Sequence, residues 1–100
     1  MPDIEIKEKN KSKLKLTEPK KWKVMMLNDD FTTMQFVIST LMNIFKHNEE
    51  TAHGLMVQIH SEGSAIVGLY TFEIAEAKCV ETTNIARNNG FPLVLKVVQE

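Results

Sequence analysis

The sequence predicts an α+β fold in which three helices pack on a small three-stranded sheet. In three stretches the apolar residues recur at helical spacing. One short apolar run comes before the first stretch, one lies between the second and the third, and one follows the third. The resulting element order is β-α-α-β-α-β, and a chain of 100 residues is long enough for one core if most of its apolar residues contribute. We therefore expect one folded domain over residues 22–100 and a flexible N-terminal extension over residues 1–21.

The first strand and helix are predicted on either side of a polar turn. Apolar side chains alternate over residues 22–26, which is the period of a strand with one better-buried face. Asn28-Asp29-Asp30 ends this strand, because Asn and Asp favour turns and local backbone hydrogen bonds. Thr32 or Thr33 can then cap a helix. Its apolar residues at helical spacing are Met34, Val37, Ile38, Leu41, Ile44 and Phe45.

The second helix is predicted to start at Asn48 and to stop at Gly63. Glu49 and Glu50 fall in its first turn, where the helix dipole favours negative charge, and glycine is a natural C-terminal residue. Its buried stripe consists of Ala52, Leu55, Met56 and Ile59. A short apolar run over residues 64–70 then predicts a central strand.

The third helix is predicted to run from Phe72 to about Asn89, with Thr71 as its cap and Gly90 as the terminating residue. It carries a stripe of small residues, which would let the helix lie close to a sheet: Ala75, Cys79, Thr82 and Ala86. A last strand follows over residues 93–98.

The N-terminal stretch over residues 1–21 has a different composition from the rest. It contains seven lysines and no aromatic residue, so it has little to bury against the entropy of ordering. We expect a disordered or loosely attached tail. A nucleic-acid-binding arm is the alternative, but the interleaved residues Asp3, Glu5, Glu8 and Glu18 weaken it.

Composition narrows the class of protein. Twelve basic and thirteen acidic residues leave a net charge of −1, which argues against a general nucleic-acid or anionic-membrane binder. Cys79 is the single cysteine, so it cannot form an internal disulfide, and its surroundings favour core packing over catalysis. No apolar run is long enough to cross a bilayer. We expect a cytoplasmic monomer.

Two groups of polar residues could carry a function. Asn28-Asp29-Asp30 places three hydrogen-bonding side chains at the end of a strand, although from the residues alone a turn followed by a helix entry is the favoured explanation. His60 ends the apolar stripe of the second helix, where a structural histidine is the default. Together, carboxylates, an amide and a neutral imidazole offer many acceptors, which suits an ammonium group with three donors. The same atoms could bind a metal or perform acid-base chemistry.

Four ordered blocks of the sequence are residues 23–37 (KVMMLNDDFTTMQFV), 52–63 (AHGLMVQIHSEG), 71–78 (TFEIAEAK) and 91–93 (FPL). In these blocks the chain resembles the ClpS family, the adaptors of ClpA-type unfoldases and the ClpP peptidase. The family commonly has a proline at the position of Thr33, and since proline is favoured but not required in a first helical turn, we expect no loss of function.

The resemblance implies a non-catalytic adaptor, without cofactor or metal, for substrates that begin with Leu, Phe, Tyr or Trp. It assigns the substrate α-amino group to Asn28, Asp29 and His60. It assigns the pocket for the first side chain to Asp30, Thr32, Met34, Val37, Met56, Ile59 and Leu93. Glu73 and Lys78 match the face that docks on the N-terminal domain of the unfoldase, and the leading segment matches the tail needed for substrate delivery.

Two other classes of function stay open from the residues alone. An enzyme could use Asp29, Asp30 and His60, with or without a metal, although no nucleophile or complete ligand set can be recognised. A non-catalytic interaction domain without an amine site is also compatible with the fold, because fold does not determine function.

Overall fold

A computed structural model describes residues 20–100, and these form three helices packed on a three-stranded antiparallel sheet. The elements are β1 (Trp22–Leu27), α1 (Met34–Asn43), α2 (Glu49–Glu62), β2 (Ser64–Tyr70), α3 (Phe72–Asn88) and β3 (Val94–Gln99). The predicted α+β class and element order are confirmed. Of the predicted flexible extension, residues 1–19 lie outside the described part of the chain. None of the described helices is long and apolar enough to cross a membrane.

The sheet is built around β1, which pairs antiparallel with β2 on one side and β3 on the other. Val24 and Met26 in this strand are fully buried. The prediction that residues 64–70 form a central strand is wrong, because β2 lies at an edge and its Ile66 and Leu69 are 46% and 44% exposed. An apolar run predicts a strand, but its place in the sheet depends on β3, which returns from the far end of the chain to pair with β1.

The small-residue stripe of α3 faces the sheet as predicted. Ala75, Thr82 and Ala86 are fully buried, Cys79 is half-buried, and the helix contacts all three strands. Burial raises the pKa of the Cys79 thiol, and the neighbouring charge of Glu76 adds to this. The thiol is therefore a packing group with little thiolate character. The rest of the core consists of Val24, Met26, Val37, Leu41, Ile44, Phe45, Ala52, Met56, Ile59, Ala65, Val67 and Leu93.

The helix starts use the side chains that the sequence suggests, with one exception. The Thr33 hydroxyl accepts a hydrogen bond from the Phe36 N–H (3.1 Å), which settles the choice of cap for α1. Asn48 caps α2 by accepting from the Thr51 N–H (2.8 Å). Thr71 occupies the N-cap position of α3 with extended backbone, but its side chain makes no capping hydrogen bond.

Helix α1 ends at Asn43, two residues before its apolar pattern ends. Ile44 and Phe45 are still buried, so the pattern reports burial correctly beyond the helix itself. Lys46 then adopts a left-handed backbone (φ 62°), which turns the chain toward α2. The Lys78 ammonium donates to the Ile44 carbonyl (2.7 Å) and lies 5.3 Å from the centre of the Tyr70 ring. It thereby satisfies one of the carbonyls left without a partner at a helix end.

A β-bulge shapes the pairing of β1 with β2. Val24 pairs with Gly68 and Met25 with Ile66, which leaves Val67 without a partner in β1. The Val67 carbonyl accepts instead from Nε2 of His47 (2.6 Å), a residue of the α1–α2 loop. Next to the bulge the chain needs glycine, since a Cβ on Gly68 would lie only 2.6 Å from Cζ of Tyr70.

We expect Gly68→Ala to destabilise the protein by roughly 1–3 kcal/mol, because the added methyl overlaps the Tyr70 ring in a packed region. Urea unfolding measures this as a lower midpoint at constant slope. Gly54→Ala is the matched control, since the space that its methyl would occupy has no neighbouring atom within 4 Å. It lies within α2, where alanine should stabilise by roughly 0.5–1 kcal/mol. The cost of Gly68→Ala should shrink in a Tyr70→Ala background, and an equal cost in both backgrounds would contradict the steric explanation.

Candidate functional site

One backbone hydrogen bond joins the turn after β1 to the end of α2. The Asn28 N–H donates to the Gly63 carbonyl (2.9 Å), which continues the pairing of β1 with β2 beyond Leu27 and Ser64. Gly63 adopts a left-handed backbone (φ 92°), a conformation that favours glycine, and its own N–H donates to the Ile59 carbonyl (2.9 Å). The polar turn is therefore held next to the last turn of α2, which carries His60.

The Asp29 carboxylate organises the turn itself. Oδ1 accepts hydrogen bonds from the N–H groups of Phe31 (2.8 Å) and Thr32 (2.7 Å), and Oδ2 accepts from the Thr32 hydroxyl (2.7 Å). Partial burial on its own would raise the pKa of Asp29, but these hydrogen bonds and the charge of Arg87 outweigh it, so the pKa lies below its ordinary value. Asp29 thus stays charged and fixes the path of residues 29–32.

A cleft of about 400 Å³ opens between this turn, α1 and α2. Its floor is formed by Val37, Met56 and Ile59, which are 6%, 7% and 2% exposed. Its remaining lining residues are Asn28, Asp29, Asp30, Phe31, Thr32, Thr33, Met34 and His60. This volume is within the range of about 300–1,000 Å³ for small-ligand sites, and an apolar floor with a few convergent polar groups is typical of them.

The polar rim of the cleft holds exposed hydrogen-bond acceptors. Asn28, Asp30 and His60 are exposed, and within residues 20–100 their side chains make no hydrogen bond. An amide oxygen, a carboxylate and an imidazole can together accept from a group with several N–H donors. In that same part of the chain, no cluster of three or more His, Cys, Asp or Glu side chains could hold a metal ion.

The structure brings together most of the residues that the sequence suggests for substrate binding. All three residues suggested for the amino group line the cleft, and so do six of the seven suggested for the side-chain pocket. The exception is Leu93, which is 1% exposed in the core and is not among the lining residues. The residues suggested for unfoldase docking lie on α3, where Glu73 is exposed and Lys78 is half-buried.

Sequence reasoning misses three residues at the site. Phe31 and Thr33 also line the cleft. From the sequence, no role is assigned to Phe31, and Thr33 is suggested only as a helix cap. Arg87 lowers the pKa of Asp29 and donates through Nη1 to the carbonyls of Phe91 (2.8 Å) and Leu93 (2.9 Å). Its position in the last turn of α3 is visible in the sequence, but its proximity to Asp29 depends on the tertiary fold.

Comparison with known proteins identifies the family. The model of the family described as ATP-dependent Clp protease adaptor protein ClpS matches residues 17–96. The chain belongs to the ClpS family. ClpS proteins are non-catalytic adaptors, which excludes the enzyme alternative.

Individual ClpS proteins resemble the chain over most of its length. A Campylobacter jejuni ClpS is 52% identical over 86 residues, covering 86% of this chain and 90% of the relative. A Treponema denticola ClpS is 46% identical over 83 residues, covering 83% and 82%. Among solved structures, Agrobacterium tumefaciens ClpS2 bound to L-phenylalaninamide superimposes with a TM-score of 0.80 at 40% identity, covering 83% of this chain and all of that one.

We expect Thr32→Ala to raise the pKa of Asp29 toward its ordinary value of 3.8, because the variant removes the hydroxyl that donates to Oδ2. A carboxyl whose pKa is lowered by folding stabilises the protein above its unfolded pKa, and this contribution is lost as the pH falls through the folded value. Thr32→Ala should therefore lessen the loss of stability between neutral pH and about pH 3. Carboxyl NMR titration measures the pKa. Thr51→Ala is the control, because Thr51 lies in the first turn of α2, at the end of that helix away from Asp29, and it should leave the pKa of Asp29 unchanged. An unchanged Asp29 titration in Thr32→Ala would show that the Thr32 hydroxyl does not lower this pKa.

Proposed function

We propose that this ClpS adaptor binds N-degron substrates, proteins whose first residue is Leu, Phe, Tyr or Trp, by their free α-amino group and first side chain. The observation that supports this most is the pairing, in one cleft, of exposed acceptors at the rim with an apolar floor. Phenylalaninamide, the ligand of the Agrobacterium ClpS2, combines a free amino group with a large apolar side chain. The cleft offers a complementary surface to both.

The amino group is assigned to Asn28, Asp29 and His60. Within residues 20–100 the side chains of Asn28 and His60 make no hydrogen bond. Asp29 already accepts three hydrogen bonds and contributes its negative charge and its remaining lone pair. Hydrogen bonds that involve a charged group are worth roughly 1.5–3 kcal/mol each. Because His60 must accept, it acts in its neutral form.

The first side chain of the substrate is assigned to the apolar part of the cleft. Val37, Met56 and Ile59 form the buried floor, while Met34, 49% exposed, stands at the wall where it can limit branching near the ligand's Cβ. Burial of one large apolar side chain contributes roughly another 1.5–3 kcal/mol. After the entropy of association is subtracted, we expect affinity of about micromolar, which suits a carrier that must release its cargo.

The remaining pocket assignments have different structural settings. Asp30 and Thr32 belong to the wall made by the turn, and Thr32 is held there by its two hydrogen bonds to Asp29. Leu93 lies in the core, so we propose that it shapes the pocket only through packing.

We expect acetylation of a Phe-first peptide to remove nearly all binding, because the rim acceptors would lose the ammonium and be left unpaired. Fluorescence anisotropy with labelled peptides of otherwise identical sequence measures this. A Gly-first peptide with a free amino group is the control, and it should bind weakly because it lacks the side chain that fills the floor. Equal affinity for the acetylated and free Phe peptides would instead favour an interaction domain without an amine site.

We further propose that the adaptor works in the cytoplasm as a monomer and delivers its cargo to a ClpA-type unfoldase, whose N-terminal domain docks on α3. Glu73 supports this, since it is an exposed carboxylate in the first turn of the helix. Lys78 is also assigned to this face, although its ammonium already binds the Ile44 carbonyl inside the chain. Glu73 is therefore the cleaner position to mutate, because a change at Lys78 would also disturb the end of α1.

We expect deletion of residues 2–17 to leave Phe-first peptide binding and unfoldase docking intact but to reduce degradation sharply. Every residue that lines the cleft falls between Asn28 and His60, whereas a segment of about twenty residues can reach roughly 60–70 Å into an unfoldase channel. Peptide affinity, docking and turnover of an N-degron protein are measured on the same variant. Glu73→Ala is the comparison, with peptide binding retained and docking weakened. Full degradation by the truncated adaptor would show that the segment has no role in transfer.

A further inference from the structure

Phe31 is an exposed aromatic residue at the mouth of the substrate cleft. Its side chain is 74% exposed, the highest value among the large apolar residues described. Within residues 20–100, the aromatic pairs join Trp22 with Phe72, Phe36 with Phe91, and Phe45 with Tyr70, so Phe31 stacks on no other ring. Its ring therefore contributes little to the core.

The backbone that carries this ring is fixed despite its exposure. The Phe31 N–H donates to Oδ1 of Asp29 (2.8 Å), and the next residue, Thr32, is bound to the same carboxylate through both its N–H and its hydroxyl. The ring thus stands on an ordered turn and not on a loosely held loop. A side chain that is presented in this way loses less entropy when a ligand packs against it.

Exposure is graded from the floor of the cleft to its mouth. The floor residues are at most 7% exposed, whereas Met34 and Phe31 reach 49% and 74%. A substrate whose first side chain lies on the floor must leave the cleft through the mouth, because its chain continues into the rest of the protein. Of the two apolar residues at the mouth, Met34 is at the wall of the first-residue pocket, which leaves the face of Phe31 available to the next residue.

We propose that Phe31 forms a subsite for the second residue of the substrate and favours an apolar or aromatic side chain there. This inference rests on the proposed N-degron function and adds a selection that the assigned pocket residues do not supply. Contact between two aromatic side chains, beyond the area they bury, changes affinity by roughly two- to tenfold. The subsite therefore ranks substrates that share the same first residue.

The test compares free-amine peptides that begin Phe-Gly, Phe-Leu and Phe-Phe and are otherwise identical. By fluorescence anisotropy, wild-type protein should bind both Phe-Leu and Phe-Phe at least roughly twofold more tightly than Phe-Gly, because each second side chain buries apolar area on the Phe31 ring. Phe-Phe gains the further contact between two rings. In Phe31→Ala, Phe-Leu and Phe-Phe should lose affinity so that this preference disappears, and the affinity for Phe-Gly, which has no second side chain, reports any effect on the first-residue pocket. Phe31→Leu should keep part of the preference for Phe-Leu. Val98→Ala, an exposed apolar position on β3, is the matched control and should change neither value.

The outcomes separate the subsite from the function on which it rests. If no Phe-first peptide binds the wild type, the proposed function and the subsite are both wrong. If the peptides bind without a second-residue preference, or if Phe31→Ala retains the preference, only the subsite is overturned. An equal loss of affinity for all three peptides in Phe31→Ala would also overturn it, since Phe31 would then act on the first residue. Because the side chain is exposed, an unchanged Tm should confirm that the variant folds.

Discussion

The hydrogen bond from the Asn28 N–H to the Gly63 carbonyl is the constraint on which the binding cleft depends. It joins two segments that are distant in sequence and sets the end of β1 against the end of α2. Gly63 makes this possible, because its left-handed backbone ends the helix and turns its carbonyl toward the strand. This contact continues the pairing of β1 with β2 and places the polar turn beside the last turn of α2, which carries His60.

Asp29 adds a second level of order by using its carboxylate inside the protein. It holds Phe31 and Thr32 in a tight turn and keeps its charge, since the hydrogen bonds and Arg87 lower its pKa. The side chains on either side, Asn28 and Asp30, are thereby left exposed and, within residues 20–100, without hydrogen-bond partners. Asn28-Asp29-Asp30 thus supplies both the carboxylate that holds the turn and two of the exposed acceptors of the site.

This arrangement fits recognition without chemistry. The site consists of hydrogen-bond acceptors above an apolar floor, and the thiol of Cys79, the single cysteine of the sequence, is half-buried on α3 with a raised pKa. Rigid acceptors and preformed apolar walls reduce the entropy lost on binding, so a small cleft can discriminate between ligands.

The sequence alone determined the element order, most of the buried positions and both ends of α2, because local periodicity and the capping residues Asn48 and Gly63 encode them. It also marked most of the cleft residues, through a family resemblance that the family match now confirms. Only the tertiary structure decided that β2 lies at the edge of the sheet, that the charge of Arg87 lowers the pKa of Asp29 and that Leu93 lies in the core. These features depend on contacts between segments that are distant in the sequence. A local pattern of apolar residues predicts a helix or strand and its buried face, but it does not predict which other segment that face or strand contacts.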